Sequence, residues 1–325
     1  MIITRTPFRV SLFGGGTDYP SWYKEHGGDV VSFTIDKYCY LTTRILPPFF
    51  DHKYRIAYSV VETSKTFTEI RHPVVREAIR KYCPNLNLEI HHDGDLPARS
   101  GVGSSSAFAV GLIHSLKLLT EQAVTTRELA DEAINLEQEI LQENVGSQDQ
   151  VACALGGLNH IMFDRNSDWT AKQIKLSEAY KNDMEARMVL VFTGVNRMSS
   201  DIQAHLFTQL ESKVDTLNRT SQLARECQEI LAREGDLDLI GEMLAESWEL
   251  KRAMNSYAIT PVLDELWTKA TMAGAIGGKV LGAGGGGFCL FWVRENAKVD
   301  FLQKFNSGTY VPASIVNNGS TCILS

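Results

Sequence analysis

The spacing of apolar residues changes period along the chain, and each change predicts an element. Phe8, Val10 and Leu12 alternate with Arg9 and Ser11, so residues 2–13 read as a strand pair broken at Pro7. Residues 29–46 are rich in β-branched and aromatic side chains (Val30, Val31, Phe33, Ile35, Tyr38, Tyr40) and read as strands. A helix is expected over Val74–Tyr82, and an alternating strand over Leu86–His92. Ala107–Leu119 is an apolar helix, and a capping box, Thr125 with Glu128, opens another that runs to about Glu143. Strands are expected at Leu158–Phe163 and Met188–Phe192. Long helical patterns follow over Ser200–Leu231, Leu237–Met254 and Pro261–Ala273, and short strands at Lys279–Leu281 and Phe288–Val293 flank a glycine run. Separated strands and helices favour an α+β fold over a strictly alternating sheet. Polar stretches between 165 and 187 suggest two domains, 1–175 and 176–325.

Composition narrows the class. With a net charge of −7 there is no basic field, which argues against nucleic-acid binding. The six cysteines form no CxxC pair, as expected of thiols in a reducing compartment. No apolar leader or membrane-length stretch appears, so the expectation is a cytoplasmic protein without a membrane partner.

The candidate chemistry begins at Leu96–Ala107, where Ser100, Gly101, Val102, Gly103, Ser104, Ser105 and Ser106 lead from an extended segment into a helix. Small residues let backbone N–H groups crowd around an anion, and the helix N-terminus adds its positive dipole end. The plainer alternative is a polar loop with a serine cap. Gly282–Gly287 formally matches GxGxxG, but Phe288–Val293 behind it is a strand and no acid stands about 20 residues on, so it is not a dinucleotide fingerprint. No GxxxxGK[ST] loop exists in the chain.

Three segments go together: Pro7–Asp18, which contains Gly14-Gly15-Gly16-Thr17-Asp18; the Gly/Ser loop; and Leu281–Phe288. In order and spacing they resemble the three motifs of the GHMP kinases, over most of the chain. The resemblance implies a two-domain fold, with an N-terminal α/β domain carrying the phosphate loop and a ferredoxin-like C-terminal α+β domain. Galactokinases read Gly-Glu-His-Thr-Asp in the first motif, and this chain lacks the Glu-His pair. Gly146-Ser147-Gln148-Asp149-Gln150 and Thr34-Ile35-Asp36-Lys37-Tyr38 look like the D-glycero-D-manno-heptose 7-phosphate kinase branch, whose members phosphorylate the anomeric hydroxyl of a sugar phosphate.

The resemblance implies roles. Asp149, in a loop after the second helix, matches the catalytic aspartate, and Arg9 the basic residue beside it. The alternatives are a turn aspartate and a solvent-facing strand arginine. ATP phosphates would lie on Ser100–Ser106, and Mg²⁺ on Ser105 and Glu137. Helical geometry bears on Glu137 independently. At roughly 100° per residue it falls within the apolar arc of Leu129, Ala133, Leu136 and Ile140, so its carboxylate needs a partner. A metal ion or a buried arginine would serve. Gly16, Thr17, Asp18 and Arg197 are the expected sugar contacts. A distal phosphate would need basic groups from Arg71, His72, Arg76, Lys37 or Arg197. The partner expected is a small sugar phosphate, with a homodimer left open. Rival readings are a kinase of free fucose or galactose, and a catalytically silent sugar and ATP sensor.

Overall fold

The computed structural model describes residues 1–195, 213–254 and 258–325. The first half contributes β1 (Ile2–Phe13), α1 (Pro20–His26), β2 (Gly28–Ile45), β3 (Tyr54–Ala57), β4 (Val61–Ser64), α2 (Pro73–Tyr82), β5 (Leu88–Gly94), α3 (Ser104–Leu119), α4 (Thr126–Ile134), α5 (Gln148–Leu155), β6 (Leu158–Phe163) and β7 (Trp169–Gln173). The second contributes α6 (Glu178–Arg187), β8 (Met188–Phe192), α7 (Val214–Ala232), α8 (Leu237–Met254), α9 (Pro261–Ala273), β9 (Ala275–Val280), β10 (Phe288–Val293), α10 (Lys298–Lys304), β11 (Thr309–Val311), β12 (Ile315–Val316) and β13 (Thr321–Leu324).

Two sheets organise these elements. The larger runs β13-β1-β2-β5-β3-β4, with β12 and β6 also on β2 and β7 on β6. β2 has 18 residues, enough for its first part to pair with β6 and its last part with β5 while β1 lies along its other edge. The smaller sheet, β11-β8-β10-β9, is antiparallel throughout. From β8 onward the order is strand, helices, strand, strand, helix, strand, and the spatial order is fourth-first-third-second. That is the ferredoxin-like arrangement. The α+β class therefore holds.

Some expectations change. β1 is one continuous strand through Pro7, not a broken pair; the register on β2 shifts between Pro7 and Arg9, which absorbs the missing N–H. We propose a domain division near residue 176 between the two sheets, with the C-terminus excepted: β12 and β13 return to pair with β2 and β1 of the first sheet.

Helix α3 lies on β1 and β2. Thr4 Oγ1 donates to Gly111 O at 3.0 Å, and a Cβ at Gly111 would stand 2.8 Å from Thr6 Oγ1, so the helix axis rides close to the strand. Phe8, Val10, Leu12, Leu41, Val110 and Ile113 are buried around this contact. This packing aims the N-terminus of α3 at the middle of β1, where Arg9 stands.

Candidate active site

The Gly/Ser loop enters α3 through Gly103, whose φ of 73° belongs to the left-handed region and leaves the first N–H groups of the helix without a capping side chain. Ser100 is fully buried and its hydroxyl donates to Pro97 O at 2.6 Å, so this side chain faces the protein. Val102 is buried too, and its carbonyl accepts from Arg9 N at 3.0 Å. Ser104 Oγ accepts from Arg99 N at 3.0 Å. What this loop offers an anion is therefore mostly backbone N–H.

The third motif braces the loop from behind. Phe288 N donates to Ser100 O at 2.9 Å, and Cβ atoms at Gly101 and Gly287 would lie 2.6 Å from Leu281 O and 2.3 Å from Ser100 O. Only glycine allows two main chains this close. Lys251, on α8, donates to Val280 O at 3.0 Å and to Gly282 O. Lys279 on β9 is buried and donates to Leu12 O at 2.8 Å, tying the second sheet to β1. Burial, with Arg9 nearby, pulls the Lys251 ammonium down to about 7; burial, then Lys251 and Arg9, pull Lys279 well below the usual range. Sequence reasoning missed both lysines, although a lone Lys in the apolar strand Lys279-Val280-Leu281 was a visible signal.

Arg9 faces the loop. Its Nε and Nη2 donate to Asp149 Oδ1 and Oδ2 at 2.7 and 2.6 Å, and its Nη1 donates to Gly101 O at 2.6 Å. This is a two-pronged guanidinium–carboxylate pair with Arg9 only 3% exposed. Burial pulls the Arg9 pKa down, but the charge and hydrogen bonds of Asp149 outweigh that and leave it raised. Asp149 is not in a loop, as the sequence suggested, but in the first turn of α5, at a second helix N-terminus pointing at the same place.

Asp18 is buried beside them. Gly16 N donates to its Oδ1 at 2.9 Å and Gln148 N to its Oδ2 at 3.2 Å. Burial and then the Asp149 charge push its carboxyl up, against the pull of these donors. Gly16 contributes its N–H, and a Cβ there would stand 3.2 Å from Leu217 and 3.4 Å from Met254. The buried Thr17 hydroxyl bonds Gly14 O at 2.8 Å and Asp29 O at 3.1 Å and accepts from Asp29 N, so it holds the turn that carries Asp18. Arg197 lies outside the described residues. Of the other basic candidates, Lys37 pairs with Asp36 and Arg76 with Ile70 O; the His72 ring packs against Tyr58 and Phe108 with its Nδ1 unpaired, and Arg71 bonds Glu62 through its backbone N–H, not its guanidinium.

Glu137 is 1% exposed, and the helix that carries it widens into a π-turn over Asn135–Ile140, with Leu141 N bonding Leu136 O. Its Oε2 accepts from Ser106 Oγ at 2.9 Å and from Gln150 Nε2. It is Ser106 and not Ser105 that meets Glu137; Ser105, one residue earlier on α3, is exposed. Burial pushes the Glu137 carboxyl up to about 7. Among the described residues no three His, Cys, Asp or Glu side chains converge as a metal cage. One buried carboxylate with a serine hydroxyl is an all-oxygen set of the kind Mg²⁺ accepts, since Mg²⁺ commonly takes one or two protein ligands and completes its shell with water and phosphate. The residues present fit the ion.

A family model for the N-terminal domain of GHMP kinases matches residues 71–157, and one for their C-terminal domain matches 227–311, together just over half of the chain. The chain belongs to the GHMP kinase family. It is an ATP-dependent kinase. A curated relative, the D-glycero-α-D-manno-heptose 7-phosphate kinase of Campylobacter jejuni, is 29% identical over 93% of this chain and 92% of its own. The galactokinase of Pyrococcus furiosus is 24% identical over 94% of this chain and 95% of its own. In solved structures, this GHMP kinase superposes on a D-glycero-D-manno-heptose 1-phosphate kinase from Bacteroides thetaiotaomicron with a TM-score of 0.82 and 24% identity, covering 100% of this chain and 99% of that one. Among the described residues no helix of this kinase is long and apolar enough to cross a membrane.

Proposed function

We propose that this sugar kinase transfers the γ-phosphoryl group of ATP to the C1 hydroxyl of D-glycero-D-manno-heptose 7-phosphate. The chemistry rests on one observation, the Arg9–Asp149 pair seated against the Gly/Ser loop. The substrate rests on the likeness to the Campylobacter jejuni protein over nearly the whole length of both chains.

ATP phosphates lie on the N–H groups of Ser100–Ser106, at the N-terminus of α3. Asp149 accepts the proton of the attacking hydroxyl. The sugar oxygen bonds to the γ-phosphorus while the bond from that phosphorus to the β,γ-bridging oxygen breaks, and ADP leaves with the electron pair. Arg9 holds both carboxylate oxygens of Asp149 and so fixes the direction of proton transfer. Its charge also adds positive potential where the phosphoryl charge spreads. Ser106 and Glu137 would hold Mg²⁺, with Ser105 at the exposed edge of the same turn. The ion, when bound, offsets charge on the β- and γ-oxygens. Asp18, fixed by Gly16 and Gln148, holds sugar hydroxyls. A second reading, a kinase of free galactose or fucose, is favoured by the near full-length similarity to the Pyrococcus furiosus galactokinase. The silent-sensor reading is disfavoured, because Asp149, Arg9 and Glu137 are all in place.

The test is ADP release by the purified chain on heptose 7-phosphate, galactose and fucose, with the product examined by ³¹P NMR. A new phosphorus signal split by an anomeric proton is expected with the heptose. Turnover on free sugars alone would replace the first reading with the second.

A further inference from the structure

Lys251 takes no part in the mechanism above, yet it begins a chain of contacts that ends on Asp149. Its place is set by the packing of α8 on β9. A Cβ at Gly277 would lie 1.7 Å from Gly241 O, so helix and strand meet there main chain to main chain. Lys251 is ten residues further along the helix from that contact, a climb of about 15 Å. Gly282 is five residues further along the other chain, about 17 Å when extended. The two lengths match, and the ammonium arrives over the end of β9, where it donates to Val280 O at 3.0 Å and to Gly282 O. A Cβ at Gly282 would lie 2.7 Å from Gly101 Cα, so the turn that Lys251 grips presses on the nucleotide loop. Gly101 O accepts from Arg9 Nη1 at 2.6 Å, and the other two donating nitrogens of that guanidinium hold Asp149. Gly101 is thus fixed between the third-motif turn and the arginine that aims the base.

Two carbonyls do not require a cation, and an amide or hydroxyl would satisfy them at a lower desolvation cost. The charged groups that act on Lys251 are the Arg9 guanidinium, which repels it, and then the Cys289 thiol; among the described residues no carboxylate does. We propose that Lys251 is a positioning residue for phosphoryl transfer: by gripping Val280 O and Gly282 O it fixes the third-motif turn against Gly101, and so sets the distance between the nucleotide loop and Asp149. It acts through the main chain and not by touching the substrate. The inference rests on the reading of the Gly/Ser loop as the ATP-phosphate site and of Asp149 as the base. It adds the element of the second sheet that keeps the two in register.

Lys251→Met keeps the length of the stem and removes the donors. Its kcat is expected to fall about 10- to 100-fold, since a displacement of about 1 Å between reacting groups costs on that order. KM for ATP should rise about three- to tenfold. KM for heptose 7-phosphate should stay within about twofold of wild type, because Asp18 is held by Gly16 and Gln148 and not through this contact. A kcat within about twofold of wild type overturns the proposal, whatever stability the variant loses, because a purely structural lysine lowers stability and leaves the folded enzyme's turnover alone. So does a sugar KM that rises as much as the KM for ATP, which marks a general loosening of the site. Should Lys251→Met fail to fold, Lys251→Gln, which keeps a donor nitrogen nearer the helix, is judged by the same readouts. If the wild-type enzyme turns over galactose or fucose but not the heptose, the substrate reading fails and Lys251 is judged on the sugar that is used. If no sugar is turned over, the sugar-kinase reading fails; Lys251 is then judged by ATP titration of the same variants, where binding within about twofold of wild type overturns the proposal and a three- to tenfold loss upholds it.

Discussion

Replacing Asp149 by Asn keeps the shape of the side chain but removes the charge that Arg9 faces. Two charge-assisted bonds at 2.7 and 2.6 Å hold the pair, and the Arg9 side chain is 4% exposed against 24% for Asp149. Bonds of this kind contribute about 1.5–3 kcal/mol each, and stranding one partner of a buried pair costs about 3–5 kcal/mol. Asp149 retains some solvent and Asn keeps one acceptor, so the lower end applies, about 3 kcal/mol of stability. Proton acceptance is lost as well, and kcat should fall by about 10²–10⁴-fold. The decisive comparison is with the double variant Arg9→Met/Asp149→Asn. Removing the stranded cation should return stability to within about 1 kcal/mol of wild type, while activity stays lost. Urea denaturation reads stability, and a coupled ADP assay reads kcat. An Asp149→Asn enzyme with kcat within threefold of wild type would refute the assignment of Asp149. A double variant no more stable than Asp149→Asn would refute the account of the pair.

Three further outcomes are expected. Glu137 has its carboxyl raised to about 7, so without metal its contribution to stability is complete below the ordinary carboxyl range and is lost as pH rises through about 7. Glu137→Gln should therefore gain stability relative to wild type between about pH 4.5 and 7, measured in a chelator; a constant difference would show that Glu137 does not titrate there. Ser106→Ala should raise the Mg²⁺ concentration for half-maximal activity more than Ser105→Ala does, because only Ser106 bonds Glu137; the reverse order would restore Ser105 as the serine ligand. Gly287→Ala drives a Cβ to 2.3 Å from Ser100 O and should cost on the order of 2 kcal/mol of stability and weaken ATP binding, read by thermal denaturation and nucleotide titration.

The elements that local pattern specifies were legible in the chain. The helix over Pro261–Ala273 carries its own start signals, Thr260 as cap and Pro261 in the first turn, and appears with the expected bounds. The capping box at Thr125 likewise forms as read, with Thr125 Oγ1 accepting from Glu128 N. The apolar arc that placed Glu137 inside the fold also held, since that test needs only side-chain period. Short strands such as Tyr54–Ala57 and Trp169–Gln173 passed unread, because four or five residues carry too little period to separate from a loop.

The sequence by itself determined the three small-residue motifs, the acid and base types near them, and the buried setting of Glu137, because each of these lies in local spacing and chemistry. Tertiary structure decided what those residues touch. It placed Asp149 in a helical first turn under the fork of Arg9, 140 residues away in the chain. It put Ser106 in place of Ser105 on Glu137, a choice set by the rotation of α3 on the sheet. It turned the Thr17 hydroxyl onto Gly14 O and Asp29 O, within the turn. Contacts of that kind depend on how sheets and helices stack across long separations, and no local pattern records them.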